Sequence, residues 1–572
     1  AMGLADANIS ATGRLENLAA DPAGSIDATI VAVDLAPLVE TLAAVLPDVQ
    51  PLRALARNAS AYPGLLEDAK VDVLASRAVN GSTEFTLRGM AGGTDFSITG
   101  SAASLITAPD TPVELRLTAR NDDAAVLYAL AGLPALPLGL AGEASIEASV
   151  SGPLGDGAAA ELAIKGTGLS ATFDGTLTRS ESGFNSRGQF AIKTEDLEPW
   201  LSVAGILLPG FGYGLPVDVS ASIDVGDKLA VISDLAGTVA DADIYGDLNA
   251  EMRNGIPHII GSVHLSRFDL GLPVEMVTGS AALQPAEEGR WPEASLQREI
   301  STPFSADVEL AAEELWFGGW ASARAASMQL RLDREKLSVA SLSAEMLGGV
   351  VKGSAELRND AGTGLLSSQF SLADVSLEKL LPESGLAGSA DLSASLTASG
   401  KSVNALVAAL SGSGSADVRN LAVSGLNPSA FPDLLARADE LGAQVDAGQV
   451  AAFAPDIVRN GVFRTGSVAI AFTVANGVAR FPQLHLEGEG ARVSVDGAAD
   501  LRQRTVAASG SITYHPGLEG VSGAEPAVRF SVEGPLGEVQ VSLDTEPLAQ
   551  FLTQRALERE QERVEHMQAV LL

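Results

Sequence analysis

The chain has 572 residues, of which 46% are apolar but only 5% aromatic, so it carries much greasy surface and few bulky fillers. Its 37 Lys and Arg stand against 72 Asp and Glu, and the net charge of -35 excludes nucleic acid as a partner held by bulk attraction. Cysteine is absent, which removes disulfides, thiolate metal sites and cysteine nucleophiles and is compatible with an oxidising compartment.

The chain opens on Ala1-Met2-Gly3, which reads as an added leader. Neither a signal sequence nor an apolar run long enough to cross a bilayer follows, so an anchoring segment is expected upstream. Four short helices are predicted, in "VDLAPLVETLAAVLP" from Val33, "NDDAAVLYALAGLP" from Asn121, "TEDLEPWLSVAGILLP" from Thr194 and "ADVSLEKLLP" from Ala373. Each opens on an acidic residue suited to a cap, carries Leu at helical spacing and is stopped by Pro. Their anchoring acids, Asp34, Asp123, Asp196 and Asp374, are separated by 89, 73 and 178 residues, and 178 is twice 89, which suggests a long and irregular repeat.

Between these helices the sequence alternates with period two, the strand signature. Val351, Gly353, Ala355 and Leu357 fall on one side; Lys352, Ser354, Glu356 and Arg358 fall on the other. The stretches around Phe173, Ile244 and Val495 repeat that phase, each with Gly on the apolar side, and a glycine there is expected to let a sheet bend sharply. Turns such as "NDAGTG" (359 to 364) and "VANGVA" (474 to 479) suit antiparallel hairpins. One strand and turn per dozen residues predicts roughly 35 to 40 strands. From Pro547 a dense Glu/Arg/Gln pattern predicts a terminal amphipathic helix.

Catalytic motifs are missing. His258, His264, His485, His515 and His566 are scattered, without a ligand-spaced cluster, nucleophile elbow or phosphate loop. "DADIYG" (Asp241 to Gly246) begins like a calcium loop, but Tyr245 and Met252 stand where oxygen ligands are needed. Acidic neighbours such as Glu313/Glu314 and Asp122/Asp123 read as solvated surface, and Trp316 with Trp320 as a cap on a β core. The expectation is a non-enzymatic protein without cofactor or metal.

An apolar strand face of about 140 Å² costs on the order of 3 kcal/mol if left wet. A second sheet, closure into a solenoid, or an apolar ligand would cover it. Gly, Ala and Val are poor fillers for a sandwich, whereas one acyl chain of about 16 carbons gains roughly 13 kcal/mol on leaving water. The fold expected is therefore mainly β: an elongated, curved antiparallel sheet forming a hydrophobic groove, with short interrupting helices and a C-terminal helix. Residues expected to line it are Ile244, Leu248, Leu337, Val339, Val351, Ala355, Leu357, Val495, Ala499 and Leu501.

The stretch from "RWPEASLQREI" through "GGVVKGSAELR", "GLAGSADLSASLTASGKSVNALVAALSGSG" and "NGVF" at Asn460 resembles the C-terminal region of AsmA-like proteins of bacterial envelopes, over about Trp291 to Tyr514. The resemblance implies a periplasmic β-groove (β-taco) anchored in the inner membrane at its N-terminus, carrying glycerophospholipid between the inner and outer membranes, with envelope proteins at its ends. It sets the divisions at 1–290 for a repeating groove segment, 291–546 for the AsmA-like region and 547–572 for the helix. A scaffold or chaperone in outer-membrane protein assembly, and a structural β-solenoid adhesin, are the alternatives.

Overall fold

The computed structural model describes residues 2–16, 23–47, 50–78, 81–102, 112–133, 135–136, 140–180, 183–206, 208, 212, 214–226, 228–253, 255–284, 286, 290–299, 302, 304–319, 321–535 and 538–571. The chain divides into two compact units, one of Ala1–Phe268 with Pro303–Leu310 and one of Asp269–Thr302 with Ala311–Leu572. Each is built on an open, antiparallel sheet. The chain's described strands number 29 over both units, fewer than the sequence spacing predicts, because they run up to 15 residues each.

In the first unit every strand from Met2–Leu4 to Ile256–Asp269 pairs with its neighbour in sequence. The repeat is now visible. Helices α1 (Ala36–Val45) and α2 (Gln50–Ala61) are followed by four strands, then α3 (Ala124–Leu130), four more strands, then α4 (Glu198–Val203) and another four. An even number of antiparallel strands returns the chain to the side it left, so the helices collect along one edge. There Val39, Ala59, Leu127, Trp200 and Val203 join one buried cluster over the strand ends.

A single device starts these helices. Oδ1 of Asp34, Asp123 and Asp196 accepts the amide of the residue two places on, satisfying a first-turn donor. Asp269 and Asp544, which sequence reasoning passed over, do the same ahead of α5 (Gly271–Thr278) and of the terminal helix. Asp123, Asp196 and Asp269 lie 73 residues apart, so the true period is four strands and a helix. Asp374 is a correction: it sits at φ 55° in a bulge and pairs with Arg419, while Ser376 caps α6 (Leu377–Leu380).

In the second unit the ladder runs from Ser322–Asp333 to Gln540–Asp544. Strand Ser411–Ser424 pairs along one edge with Leu386–Gly400 and along the other with two partners, Val462–Arg464 at one end and Val468–Ala475 at the other. The helices here are α5, α6, α7 (Val403–Ala408), α8 (Phe431–Leu441), α9 (Ala447–Arg459) and α10 (Glu546–Leu571). Among the described residues no helix is long and apolar enough to cross a membrane.

Breaks in strand register fall on the strands facing the predicted glycines, between the partners of Leu248 and Gly246, of Ala355 and Gly353, and of Gly497 and Val495. The pairing slips at left-handed Asp234, Ser341 and Asp374. Such a backbone costs about 1–2 kcal/mol for a residue with a Cβ. Two of these bulges are pinned by the next strand, where Asp247 and Asp391 accept the Asp234 and Asp374 amides. Some apolar-face glycines have a further task. Gly100, Gly414, Gly497 and Gly510 sit directly opposite Phe85, Phe472, Phe481 and Phe530, and a Cβ on any of them would stand within 3.0 Å of the ring. Each phenyl lies flat over a glycine, packing that adds aromatic bulk without raising the face.

Candidate functional site: the apolar strand face

The candidate site is a sheet face rather than a pocket. Along Gly349–Asp360 the outward residues Lys352, Ser354, Glu356 and Arg358 are exposed, while Val351 is buried and Gly353, Ala355 and Leu357 are half-buried. Register carries the predicted residues into rows. Val339, Ala355, Ser368, Leu396, Gly412, Val474, Ala479 and Ala499 form one unbroken cross-strand row. Leu337, Leu357, Leu366 and Ala398 form another, and Ala344, Val351, Leu372, Leu392, Ala416 and Ile470 a third. Val495 shares the face of Ala499 four residues away and pairs with Gly510.

Leu337, Val339, Ala355, Leu357, Val351, Val495 and Ala499 are thus gathered on one face in the second unit. Ile244 and Leu248 share a half-buried face in the first, opposite Leu265 and Gly261. Leu501 stands apart. The strand ends at Asp500, whose Oδ1 accepts the amides of Arg502 and Gln503, so Leu501 lies in the turn and its carbonyl accepts the Trp291 indole N–H at 2.9 Å. The flat phenyl rings and Leu366, Leu396 and Val474 complete the face; only their cross-strand pairing, invisible in a linear reading, reveals them.

Burial along the face is graded. Leu337, Val339 and Val351 are 4–7% exposed, whereas most of the row in mid-sheet is half-buried. At the C-terminal strands the opposite holds at one end. Val493, Ile512, Tyr514 and Val528 are sealed beneath Leu434 of α8, Val450 and Val458 of α9, and Leu548, Phe551 and Leu552 of α10. Phe431 stacks on Tyr514 at 6.0 Å and tilts against Phe551 at 5.8 Å. Burial pushes the Tyr514 hydroxyl well above its usual range, so it stays protonated.

α10 is fastened at its middle. The Arg555 guanidinium, 6% exposed, donates to Asp439 at 2.6 Å and Glu519 at 2.7 Å, and Arg559 reaches the same two carboxylates. Those donors hold Asp439 below the ordinary aspartate range. Between them the helix exposes Leu557, and beyond them Val564 and Met567.

α5 measures the bend of the strands. Its entry is tied to one set of strand ends, where the Leu270 amide donates to the Trp316 carbonyl at 2.9 Å and Gly318 N–H to Asp269 Oδ1. Its exit is tied to the other set, where Asn359 Nδ2 donates to the Val277 carbonyl at 2.8 Å. Trp316 sits beside Ser322 across the 317–321 turn, and register then places Gly349 on that side and Asn359 at the far end of its strand.

Nothing on the sheet has the makings of a catalytic centre among the described residues. His258 Nδ1 lies 2.8 Å from Ser305 Oγ, but both are buried. Ala240 and Asp241 take positive φ in the hairpin turn that opens "DADIYG", and no cluster of three or more metal-ligating side chains exists among the described residues. Trp316 is 39% exposed, and Trp320 lies outside the described residues. Comparison with protein-family models, with curated proteins and with solved structures returned no match.

Proposed function

We propose that the chain is a carrier of diacyl lipid, holding acyl chains along the apolar strand face as a curved, hydrophobic groove. One observation carries the reading: a continuous aliphatic face left half-covered by protein, on strands bent strongly enough for a short helix to join their two ends. An eight-residue helix spans about 12 Å, whereas a straight strand of twelve residues spans about 40 Å. Leaving an exposed aliphatic face to water is costly, and methylene chains offset that cost without needing a fixed polar group.

The AsmA-like resemblance supplies the setting of the proposal: a periplasmic, inner-membrane-anchored bridge conducting glycerophospholipid towards the outer membrane, acting without catalysis or cofactor. A scaffold for outer-membrane protein assembly would work through free strand edges instead. Lipid extraction and mass spectrometry of the purified protein test the reading, with near-stoichiometric or greater phospholipid expected. Val351→Asp and Leu248→Asp should each lower the lipid recovered several-fold, whereas Ser354→Asp and Asn249→Asp should leave it unchanged. Recovery of no lipid, or equal losses from both faces, rejects the proposal.

A further inference from the structure

We infer that the sheet opens sideways between strands Val468–Ala475 and Val478–Gly488, and that this seam passes acyl chains out of the groove beside the plug formed by α8, α9 and α10. The inference rests on the acyl-chain reading and gives that site an exit. The hairpin turns at Asn476 and Gly477, with φ 52° and 74°, the signs of a two-residue type I′ turn. In such a hairpin Ala475 and Val478 exchange both backbone hydrogen bonds, and the exchange recurs at every second pair, at Thr473 with Arg480 and next at Ala471 with Pro482. Pro482 has no N–H to give. The pairing accordingly stops after Thr473 and Arg480. Among the described residues, 468–472 and 481–488 have ladder partners only on their far sides, in Ser411–Ser424 and Ala491–Asp500.

Side chains leave the seam unfilled. The first facing pair beyond the ladder is Phe472 and Phe481, and each ring lies over a glycine of the strand behind it, Phe472 over Gly414 and Phe481 over Gly497, away from the other. Val468 and Leu484, farther along the two edges, pack against the cluster that the plug seals, so an acyl chain sliding along the face is stopped here. On the outward face the polar row Lys352, Ser371, Ser393 and Ser415 ends on Ala471, and Ala469, Ala471 and Pro482 are all exposed. Methyl and pyrrolidine groups thus stand at the seam where the rest of the row carries hydroxyls and a charge, and an acyl chain passing them desolvates no polar side chain. Three residue pairs hold this joint, against ten between Ala491–Asp500 and Thr505–Tyr514, so it parts at far less cost than that one.

The chain has no cysteine, so a disulfide staple can be placed without background. Ala471→Cys with Pro482→Cys closes the seam, and Thr473→Cys with Arg480→Cys staples the pair already laddered beside it. Each oxidised protein is compared with its own reduced form for bound phospholipid, by extraction and mass spectrometry, and for the rate at which it moves pyrene-labelled phosphatidylcholine between vesicles. The seam staple should slow transfer several-fold while bound lipid stays at the wild-type level, and reduction should restore the rate; the control staple should leave the rate unchanged. Transfer by the oxidised seam staple as fast as by its reduced form, or equal slowing by both staples, overturns the exit and leaves the acyl-chain reading standing. Absence of lipid from the wild-type chain overturns the acyl-chain reading with it. Hydrogen exchange of the wild-type chain tests the seam without any substitution. Residues 468–472 should exchange faster on average than 412–418, which are paired on both sides, and equal protection would show a sheet closed at this place.

Discussion

The two halves of strands Ala491–Asp500 and Thr505–Tyr514 belong to one face but have opposite fates. At one end Val493, Ile512 and Tyr514 are sealed by three helices; at the other Ala499 and Val506 are half-buried and pair with each other, while Val495 still packs against the sealed cluster. The sealed end draws on large side chains: Phe431, Phe463, Tyr514, Phe551 and several leucines. The uncovered rows carry Ala, Val, Leu and flat-lying Phe. This chain therefore has the means to close its apolar face, and at these strands it does so with α8, α9 and α10.

The largest effect should come from breaking the plug. Phe551→Ala removes a fully buried ring at the meeting point of α8, α10 and the last strands, and should cost about 3–5 kcal/mol of stability. Ala355→Gly on the half-buried row should cost about 1 kcal/mol or less. Urea denaturation followed by tryptophan fluorescence and by circular dichroism measures both. Equal losses would erase the distinction between a sealed and an uncovered face.

A smaller effect separates the two roles of a face glycine. A Cβ at Gly414 would stand 2.3 Å from the Phe472 ring and 2.3 Å from the Ser393 carbonyl oxygen. Gly414→Val should therefore cost about 1–3 kcal/mol through overpacking. Shrinking the facing ring in a Gly414→Val/Phe472→Ala double variant should recover part of that loss, since the new side chain would fill the vacated space. If Phe472→Ala brings no recovery, the glycine serves backbone geometry after all.

That distinction marks where sequence reading stops. Period-two alternation made the strand phase legible, because Lys352, Ser354 and Glu356 differ so plainly from Val351, Ala355 and Leu357. The helix starts were legible at Asp34, Asp123 and Asp196, since an aspartate just ahead of residues at helical spacing suits a cap. The bulges were not: Ser341 and Asp234 look like any outward residue, and their left-handed backbone is imposed by pairing with distant strands. Glycine opposite phenylalanine is a pair between strands, so neither partner announces it alone. Helices α8 and α9 could have been found, for Phe431, Leu434, Leu435 and Ala438 recur at helical spacing and Asp446 caps the second. Leu501 was misplaced into a strand because the Asp500 side chain, through two amides, ends the ladder one residue earlier.

The least of the expected effects asks whether the plug is held by charge as well as by packing. Asp439 is depressed below the ordinary aspartate value of 3.8, first by the hydrogen bond from Arg555 and then by the nearby Arg559 charge. A carboxyl whose pKa is lower folded than unfolded adds stability above its unfolded value, and loses that contribution as pH falls through the folded one. The fastening of α10 should therefore be complete at neutral pH and weaken only in acid, below 3.8. Because Asp439 remains 44% exposed, water screens the pair and the change should be modest. Thermal melts followed by circular dichroism across that window should show wild type losing more stability than Asp439→Asn, which has no proton to take up. Parallel curves would mean that apolar packing alone keeps the sealed end sealed, and that Arg555 is buried against α8 for its shape rather than its charge.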